Sequence, residues 1–179
     1  MVEIGVDMSR KYLNERWCVR CGRTTPSPYL VTVWPCIKER LHLANEDLFV
    51  VDVGCGNGRN YRWLRRKGVV HAFGVDMANK HGVSCVLGRD RLPFTDRTVD
   101  VVLCNYVFMF LSRSERKQVY EEIRRLLRPD GVIVVELYPA KDSHADTEAK
   151  LEKLAKEIQR AFPTHEATSN REHFVLVRK

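Results

Sequence analysis

The chain has 179 residues, of which 44% are hydrophobic and 30% charged, and its formal net charge is +7. That length and apolar content suffice for one core of ordinary size, so we expect a single domain. No run approaches the roughly 18 consecutive apolar residues of a membrane span, and the first residues lack the pattern of a signal peptide. The sequence therefore predicts a cytoplasmic protein with no membrane partner.

The first part of the chain, residues 1–44, differs from the remainder. Three prolines interrupt it, and its pattern predicts a helix over 29–43. We expect this segment to form an N-terminal cap over a substrate cleft, and residues 45–179 to form the core of the domain.

Short β-branched runs alternate with helical patterns through that core. Strands are predicted at 48–53, 69–75, 83–87, 99–104, 131–137 and 173–178, and helices at 60–67, 112–127 and 146–162. Ser112 and Glu115 make a capping box at the start of the second of these helices. The order predicts a doubly wound α/β fold with a mainly parallel sheet and helices on both faces. We expect seven strands in that sheet, one more than these six runs, with the last strand antiparallel. Because the connection before the third strand is short, we expect a reduced sheet edge there.

A glycine loop, VDVGCGNG at residues 51–58, joins the first strand to a helix. Gly54 and Gly56 let the backbone approach a ligand, and the helix N-terminus offers free N–H groups. Arg59 stands where a dinucleotide loop needs its third glycine, which disfavours NAD. Asp76 ends the second strand, where a carboxylate can accept hydrogen bonds from both ribose hydroxyls of an adenosine.

With the downstream GVD and the segments LPFTDRTVDVVLCNYV and RRLLRPDGVIVVEL, this loop resembles the motifs of class I S-adenosylmethionine-dependent methyltransferases, in particular the small type 11 group. The resemblance covers about residues 48–138. It implies methyl transfer as the reaction and S-adenosyl-L-methionine as the cofactor. The cofactor-binding residues that it implies are Asp52, Gly54, Cys55, Gly56, Asp76, Met77, Asp90 and Asn105.

By this resemblance, Gly54, Cys55 and Gly56 would line the methionine portion, with Asp52 supporting the loop. Asp76 would bind the ribose.

The other implied contacts surround the adenine and the methyl group. Met77 would cover one face of the adenine, and Asn105 would lie beside the reacting methyl. Related sequences often place an aspartate at the position of Gly88 to accept the adenine amino group. Asp90 is the nearest substitute here, and a solvated turn residue is its alternative interpretation.

The catalytic residue is left open, because methyl transfer depends on alignment more than on a dedicated base. The candidates by position are Asn105, Tyr106, Glu136 and Tyr138, with Tyr12 and His144. Glu136 interrupts an apolar strand near its carboxyl end, where doubly wound folds have their active sites. Its alternative interpretation is a strand-end carboxylate that faces solvent or pairs with an arginine. The fourth strand ends in CNYV and lacks an (N/D)PPY tetrapeptide. The sequence therefore disfavours methylation of DNA adenine as the reaction.

Cys18 and Cys21 form a CxxC pair that, together with Cys36 and His42, resembles the N-terminal zinc finger of some ribosomal-RNA guanine methyltransferases. However, Cys36 and His42 are six residues apart within the predicted helix, and residues at that spacing do not share a helix face. We therefore predict no metal site and two unpaired thiols at the CxxC.

The sequence thus predicts an active methyltransferase, with a small molecule, an RNA or a protein side chain as the open alternatives for its acceptor. The positive charge suits a polyanionic partner such as an RNA, with solvated surface residues as the alternative explanation. No obligatory protein partner is indicated. The alternative from a different class is a non-catalytic, methyltransferase-like scaffold that activates a partner subunit. The intact glycine loop and Asp76 argue against the scaffold, because a chain released from cofactor binding has no physical need for both.

Overall fold

The computed structural model describes residues 24–76, 85–86, 91–137, 145–168 and 173–179. Seven strands in these ranges form one sheet, and four helices accompany it. None of these helices is long and apolar enough to cross a membrane.

The helices are α1 (Pro28–Leu41), α2 (Arg59–Arg66), α3 (Arg113–Leu126) and α4 (Ala145–Ala161), with short 3-10 turns at Asn45–Asp47 and Phe108–Phe110. The strands are β1 (Phe49–Val53), β2 (His71–Asp76), β3 (Cys85–Val86), β4 (Val99–Asn105), β5 (Leu127–Glu136), β6 (His165–Thr168) and β7 (His173–Arg178).

The strand order is β3-β2-β1-β4-β5-β7-β6. Neighbours from β3 to β5 pair in parallel, and β7 is antiparallel to both β5 and β6. The predicted doubly wound sheet with an antiparallel last strand is confirmed, and the two-residue β3 is the reduced edge. From β1 the chain passes to β2 and β3 on one side of β1, and it then crosses back to form β4 on the other side. That reversal opens a crevice outside the carboxyl ends of these strands.

Two local features differ from the sequence-based expectation. The sequence pattern left β6 unplaced, because three of its four residues are exposed and it makes no apolar run. In addition, β5 begins at Leu127 and not at Gly131. Val99 pairs with Leu127, whereas Val101 pairs with Val132, so the residues between Leu127 and Val132 form a bulge in β5. This bulge follows α3 directly.

Alternation along the strands produces one apolar core on each face of the sheet. On one face, α1 and α2 cover Val50, Leu103 and Val134. On the other face, α3 and α4 cover Val102 and Ile133. Helices therefore lie on both faces, as the sequence predicted.

The helix expected over 29–43 forms as α1 and packs into the first of these cores. Ser27 is its N-cap, accepting a hydrogen bond from the Leu30 N–H at 3.3 Å, and Pro28 occupies the first turn. Trp34 of α1 meets Trp63 of α2 edge to face, with ring centroids 6.4 Å apart. Residues 1–23 of the expected cap lie outside the described residues, and the division at residue 44 stays a prediction.

Candidate functional site

The glycine loop lies at the carboxyl end of β1. The N–H groups of Gly54 and Cys55 both donate to the Val75 carbonyl, at 2.8 and 3.1 Å, which ties the loop to β2. Gly54 and Gly56 have φ angles of 66° and 55°, in the left-handed region that favours glycine. A methyl group built on Gly56 would meet no atom of the described residues within 4 Å, so within these ranges this side of the loop is open to a ligand.

Asp76 lies against the same loop. It ends β2, and its Oδ2 accepts a hydrogen bond from the Gly56 N–H at 2.8 Å. The loop and the carboxylate, which two separate motifs of the sequence indicated, are therefore in direct contact.

A group of buried polar side chains lies at this end of the sheet. Six buried residues within the described ranges are polar or charged, and five of them belong to this group: Ser27, Asp52, Asn60, Asn105 and Glu136. We call these five the polar row. Its three strand residues follow Val50, Leu103 and Val134 at the two-residue spacing of a strand, so all three point toward the face that α1 and α2 cover.

Glu136 is the centre of the polar row and is 1% exposed. Its Oε1 accepts hydrogen bonds from Ser27 Oγ and Asn105 Nδ2, and its Oε2 accepts one from the Tyr106 hydroxyl at 2.7 Å. His173 Nε2 lies 3.9 Å from Oε2. The interpretation of Glu136 as a strand-end carboxylate that faces solvent is therefore wrong.

Tyr106 follows β4 directly and is only half-buried. Its φ of 59° is in the left-handed region, and its N–H donates to the Glu136 carbonyl at 2.8 Å. The Arg59 guanidinium lies 5.9 Å from the centre of its ring. The next residue, Val107, packs so closely on Gly54 that a methyl group there would lie 2.5 Å from Val107 Cγ2. Tyr106 is therefore held between the polar row and the glycine loop.

Asp52 lies at the end of the polar row nearest the glycine loop and is 1% exposed. Burial raises the pKa of its carboxyl from 3.8 to about 7, and the charges of Asp76 and Glu136 add to the rise. A hydrogen bond with the Tyr61 backbone and the charge of Arg59 oppose it.

Two buried oxygens of the polar row, Asp52 Oδ2 and Asn105 Oδ1, have no hydrogen-bond partner among the residues that the structure describes. Leaving a buried acceptor unsatisfied costs about 1–3 kcal/mol. A ligand that donates hydrogen bonds, above all a cationic one, would satisfy both atoms.

The thiols near the site are poor nucleophiles. Burial raises the pKa of Cys55 and of Cys104, which keeps both protonated at neutral pH. Among the remaining predicted ligands of a zinc ion, Cys36 is exposed and His42 is the exposed C-cap of α1. The described ranges contain no group of three or more residues that could hold a metal ion, and Cys18 and Cys21 lie outside those ranges.

The structure brings together most of the residues that the sequence singled out. Asp52, Gly54, Cys55, Gly56, Asp76, Asn105, Tyr106 and Glu136 all lie at the carboxyl end of the sheet. Predicted residues outside the described ranges are Tyr12, Met77, Asp90, Tyr138 and His144.

Sequence reasoning missed three polar residues of this site. Ser27 was recognisable as an N-cap by the proline that follows it. Asn60 accepts a hydrogen bond from the Ser27 N–H at 2.9 Å. No local sequence pattern indicated Asn60 or His173, because their partners are distant in the sequence.

Comparison with known proteins agrees with this geometry. Residues 51–135 match the family model described as "Methyltransferase domain". A mouse protein named "Probable tRNA methyltransferase 9B" is 27% identical over 111 residues, which are 57% of this chain and 24% of the mouse protein. The rat "Arginine-hydroxylase NDUFAF5, mitochondrial" is 24% identical over 172 residues, 89% of this chain and 49% of that protein. The chain therefore spans less than half the length of these two relatives.

Among solved structures, the 1,6-didemethyltoxoflavin-N1-methyltransferase of Burkholderia thailandensis superposes with a TM-score of 0.62. The superposition covers 96% of this chain and 87% of that one, at 17% identity. That protein was crystallised with 1,6-didemethyltoxoflavin and S-adenosylhomocysteine. At this identity, the likeness establishes a common fold.

Proposed function

Because the chain belongs to the class I methyltransferases, through a domain of the type 11 group at residues 51–135, we propose that it is an enzyme that transfers the methyl group of S-adenosylmethionine to an acceptor. The contact between Gly56 and Asp76 carries the proposal. An open glycine backbone and a carboxylate meet at the carboxyl ends of β1 and β2, where doubly wound sheets bind nucleotides.

The residues of the site fit this cofactor. When bound, S-adenosylmethionine supplies a methyl group that is already activated by its attachment to a sulfonium. The open side of Gly56 leaves room for the methionine portion, and Asp76 is suited to accept from ribose hydroxyls. Asp52 Oδ2 and Asn105 Oδ1 offer the two unsatisfied acceptors that a cationic ammonium group requires.

Catalysis by this site would rest largely on alignment. Holding two reactants in a productive geometry supplies a large part of the rate of an in-line displacement. The polar row is suited to that task, because its side chains are buried and Glu136 joins three of its neighbours.

Calorimetric titration of the purified chain tests the cofactor assignment. We expect S-adenosylmethionine and S-adenosylhomocysteine to bind and NADH to give no heat. The variant Asp76→Ala removes the ribose acceptor, so its affinity for S-adenosylhomocysteine should fall by about tenfold or more. Unchanged affinity in this variant would refute the role of Asp76. Absence of binding to the natural chain would refute the proposed enzyme and favour the non-catalytic scaffold.

We propose RNA as the acceptor class to test first. Two observations support this choice. The chain has a net charge of +7, and the name of the mouse relative refers to tRNA. Unfractionated tRNA and a pool of small amines and phenols would be incubated separately with methyl-labelled S-adenosylmethionine. We expect label in the RNA fraction, and label in the small-molecule pool alone would overturn the choice of RNA.

A further inference from the structure

The Tyr106 hydroxyl and the Glu136 carboxylate are joined directly at the point where the polar row approaches the molecular surface. We propose that Tyr106 and Glu136 together accept a proton from the methyl acceptor, which therefore bears an N–H or O–H group. This inference rests on the proposed methyltransferase function and specifies the chemical class of its acceptor.

The backbone at Tyr106 supports a functional role for this contact. A φ of 59° is uncommon for a bulky residue that is neither glycine nor asparagine, and such a conformation costs on the order of 1–2 kcal/mol. Two hydrogen bonds to Glu136 hold it, one from the N–H at 2.8 Å and one from the hydroxyl at 2.7 Å. Strain held by its surroundings in this way is common at active sites.

Burial assigns different tasks to the two residues. Glu136 is 1% exposed, and Ser27 and Asn105 already donate to its Oε1. Because both oxygens of this carboxylate already have donors within the protein, an acceptor molecule would meet Tyr106 first. Tyr106 is half-buried and bonds to Oε2. Tyr106 is thus the residue that can touch the acceptor, and Glu136 positions its hydroxyl and receives its proton.

The neighbours of Tyr106 put this pair at the cofactor loop. Arg59, the first residue of α2, lies against its ring, and Val107 packs on Gly54. The chain at Tyr106 and Val107 therefore lies against the loop that the proposed function assigns to the cofactor.

The proposed step balances in atoms and charge. The acceptor nitrogen or oxygen forms a bond to the methyl carbon, and the carbon–sulfur bond breaks with its electron pair left on sulfur. The acceptor proton moves to the Tyr106 oxygen as the Tyr106 proton moves to Glu136 Oε2. The sulfonium charge and the carboxylate charge disappear together, and Glu136 later returns the proton to solvent through Tyr106. A carbon acceptor without an acidic proton would gain nothing from this pair.

Nuclear magnetic resonance tests the proposal without knowledge of the acceptor. The protein would be labelled with carbon-13 at the hydroxyl-bearing carbon of tyrosine, and Tyr106→Phe would identify the Tyr106 signal. Spectra would be compared for saturating S-adenosylmethionine and S-adenosylhomocysteine, which differ by one methyl group and one positive charge. We expect the Tyr106 signal to differ between the two complexes. The signal of Tyr120, which lies on the opposite face of the sheet, should not differ.

The role of Glu136 is tested by alkaline titration of the same signal in the S-adenosylhomocysteine complex. Glu136→Gln removes a negative charge beside the Tyr106 hydroxyl, so the hydroxyl should ionise about one pH unit lower than in the natural protein. Ser27→Ala is the matched control, because it removes a donor to Glu136 but keeps the carboxylate. Its Tyr106 signal should not titrate at lower pH. If Glu136→Gln does not fold, Glu136→Asp keeps the charge but draws it away from the hydroxyl, so it should lower the pH at which Tyr106 ionises by a smaller amount than Glu136→Gln.

The outcomes separate this inference from the proposed function. Binding of both ligands with an identical Tyr106 signal would overturn the inference and leave the methyltransferase assignment intact. Unchanged ionisation in Glu136→Gln would overturn the role of Glu136. Failure of both ligands to bind would overturn the methyltransferase assignment, and the inference with it.

Discussion

Consecutive residues of β5 enter two different environments. Ile133 and Val135 point to the face that α3 and α4 cover, where Val53 and Cys104 continue the apolar core to the carboxyl ends of the strands. Val134 is apolar on the opposite face, but Glu136, two residues later, joins the polar row. At the carboxyl ends of the strands, one face of the sheet therefore remains apolar, whereas the other becomes polar where it meets the glycine loop.

The polar ends of the two faces differ as well. On the α3 and α4 side, Arg116 forms a bidentate ion pair with Glu157, at 2.7 and 3.0 Å, at the partly exposed rim. On the α1 and α2 side, Asp52 and Glu136 are 1% exposed. Burying a carboxylate lowers stability unless a charged partner compensates for the lost hydration, and His173 Nε2 approaches Glu136 Oε2 no closer than 3.9 Å. The buried carboxylates on the α1 and α2 side therefore lower the stability of the fold, and a cationic ligand bound beside them would offset that loss.

The largest expected effect on stability lies on the apolar face. Ile158 of α4 is fully buried, so Ile158→Ala should lower the free energy of unfolding by roughly 2–5 kcal/mol. Urea denaturation measures this loss. Affinity for S-adenosylhomocysteine should stay within about twofold, which is less than 1 kcal/mol. A large loss of affinity in the folded variant would contradict the separation of the two faces.

Two glycine variants test whether the open side of the glycine loop binds the ligand, and each variant is the control of the other. Gly56→Ala adds a methyl group where no described atom lies within 4 Å. Its φ of 55° makes alanine cost on the order of 1–2 kcal/mol, so the variant should still fold but lose about tenfold or more in affinity for S-adenosylhomocysteine. Gly54→Ala has the same backbone cost, also drives the methyl group against Val107, and should therefore lower the melting temperature further than Gly56→Ala. Equal affinity of Gly56→Ala and the natural chain would show that the open side of the loop is not the binding side.

A third experiment uses pH to test the polar row. Only the ionised Asp52 attracts a cationic ligand, and its pKa of about 7 means that it gains charge between about pH 6 and pH 8. Affinity for S-adenosylmethionine should rise by up to about tenfold over this interval, and Asp52→Asn should remove most of the rise. Calorimetry at several pH values measures it. A rise that persists in Asp52→Asn would assign the titration to another group.

The same carboxyl predicts a pH dependence of folding. Because the folded pKa of about 7 exceeds the ordinary value of 3.8, the folded protein binds more protons than the unfolded chain between these values. Stability should therefore fall as pH rises from about 4 to about 7. The slope should flatten in Asp52→Asn, and denaturation at a series of pH values would reveal it.

The sequence predicted those parts of the molecule that local pattern controls. The apolar run before Gly54 and the position of Asp76 were sufficient to predict the first two strands and the loop between them. The exposed strand His165–Thr168 was not predicted, because an edge strand paired only with β7 needs no apolar alternation.

The geometry of the polar row depends on contacts that no local pattern contains. Glu136 was a candidate from its position, but its partner Ser27 is 109 residues away in the chain. The register of β4 against β5 is what sets Asn105 opposite Glu136. A solvated strand-end carboxylate and a buried one look alike in sequence, and tertiary packing alone distinguishes them.

The smallest expected effect concerns the exposed cap of α3. Ser112 Oγ accepts from the Glu115 N–H at 3.4 Å, a long bond, while Glu115 Oε2 accepts from the Ser112 N–H at 2.8 Å. Ser112→Ala removes the first bond, together with the bond that the Ser112 hydroxyl donates to Glu115 Oε2 at 2.6 Å, and keeps the second. Because this cap is exposed, the cost in unfolding free energy should be about 0.5–1 kcal/mol. Urea denaturation beside Ser114→Ala, which keeps the cap, isolates that cost. Ligand affinity should not change in either variant, because α3 covers the apolar face. A loss of affinity in Ser112→Ala alone would mean that the order of this helix reaches the glycine loop through Phe108 and Val107, and that the two faces are coupled.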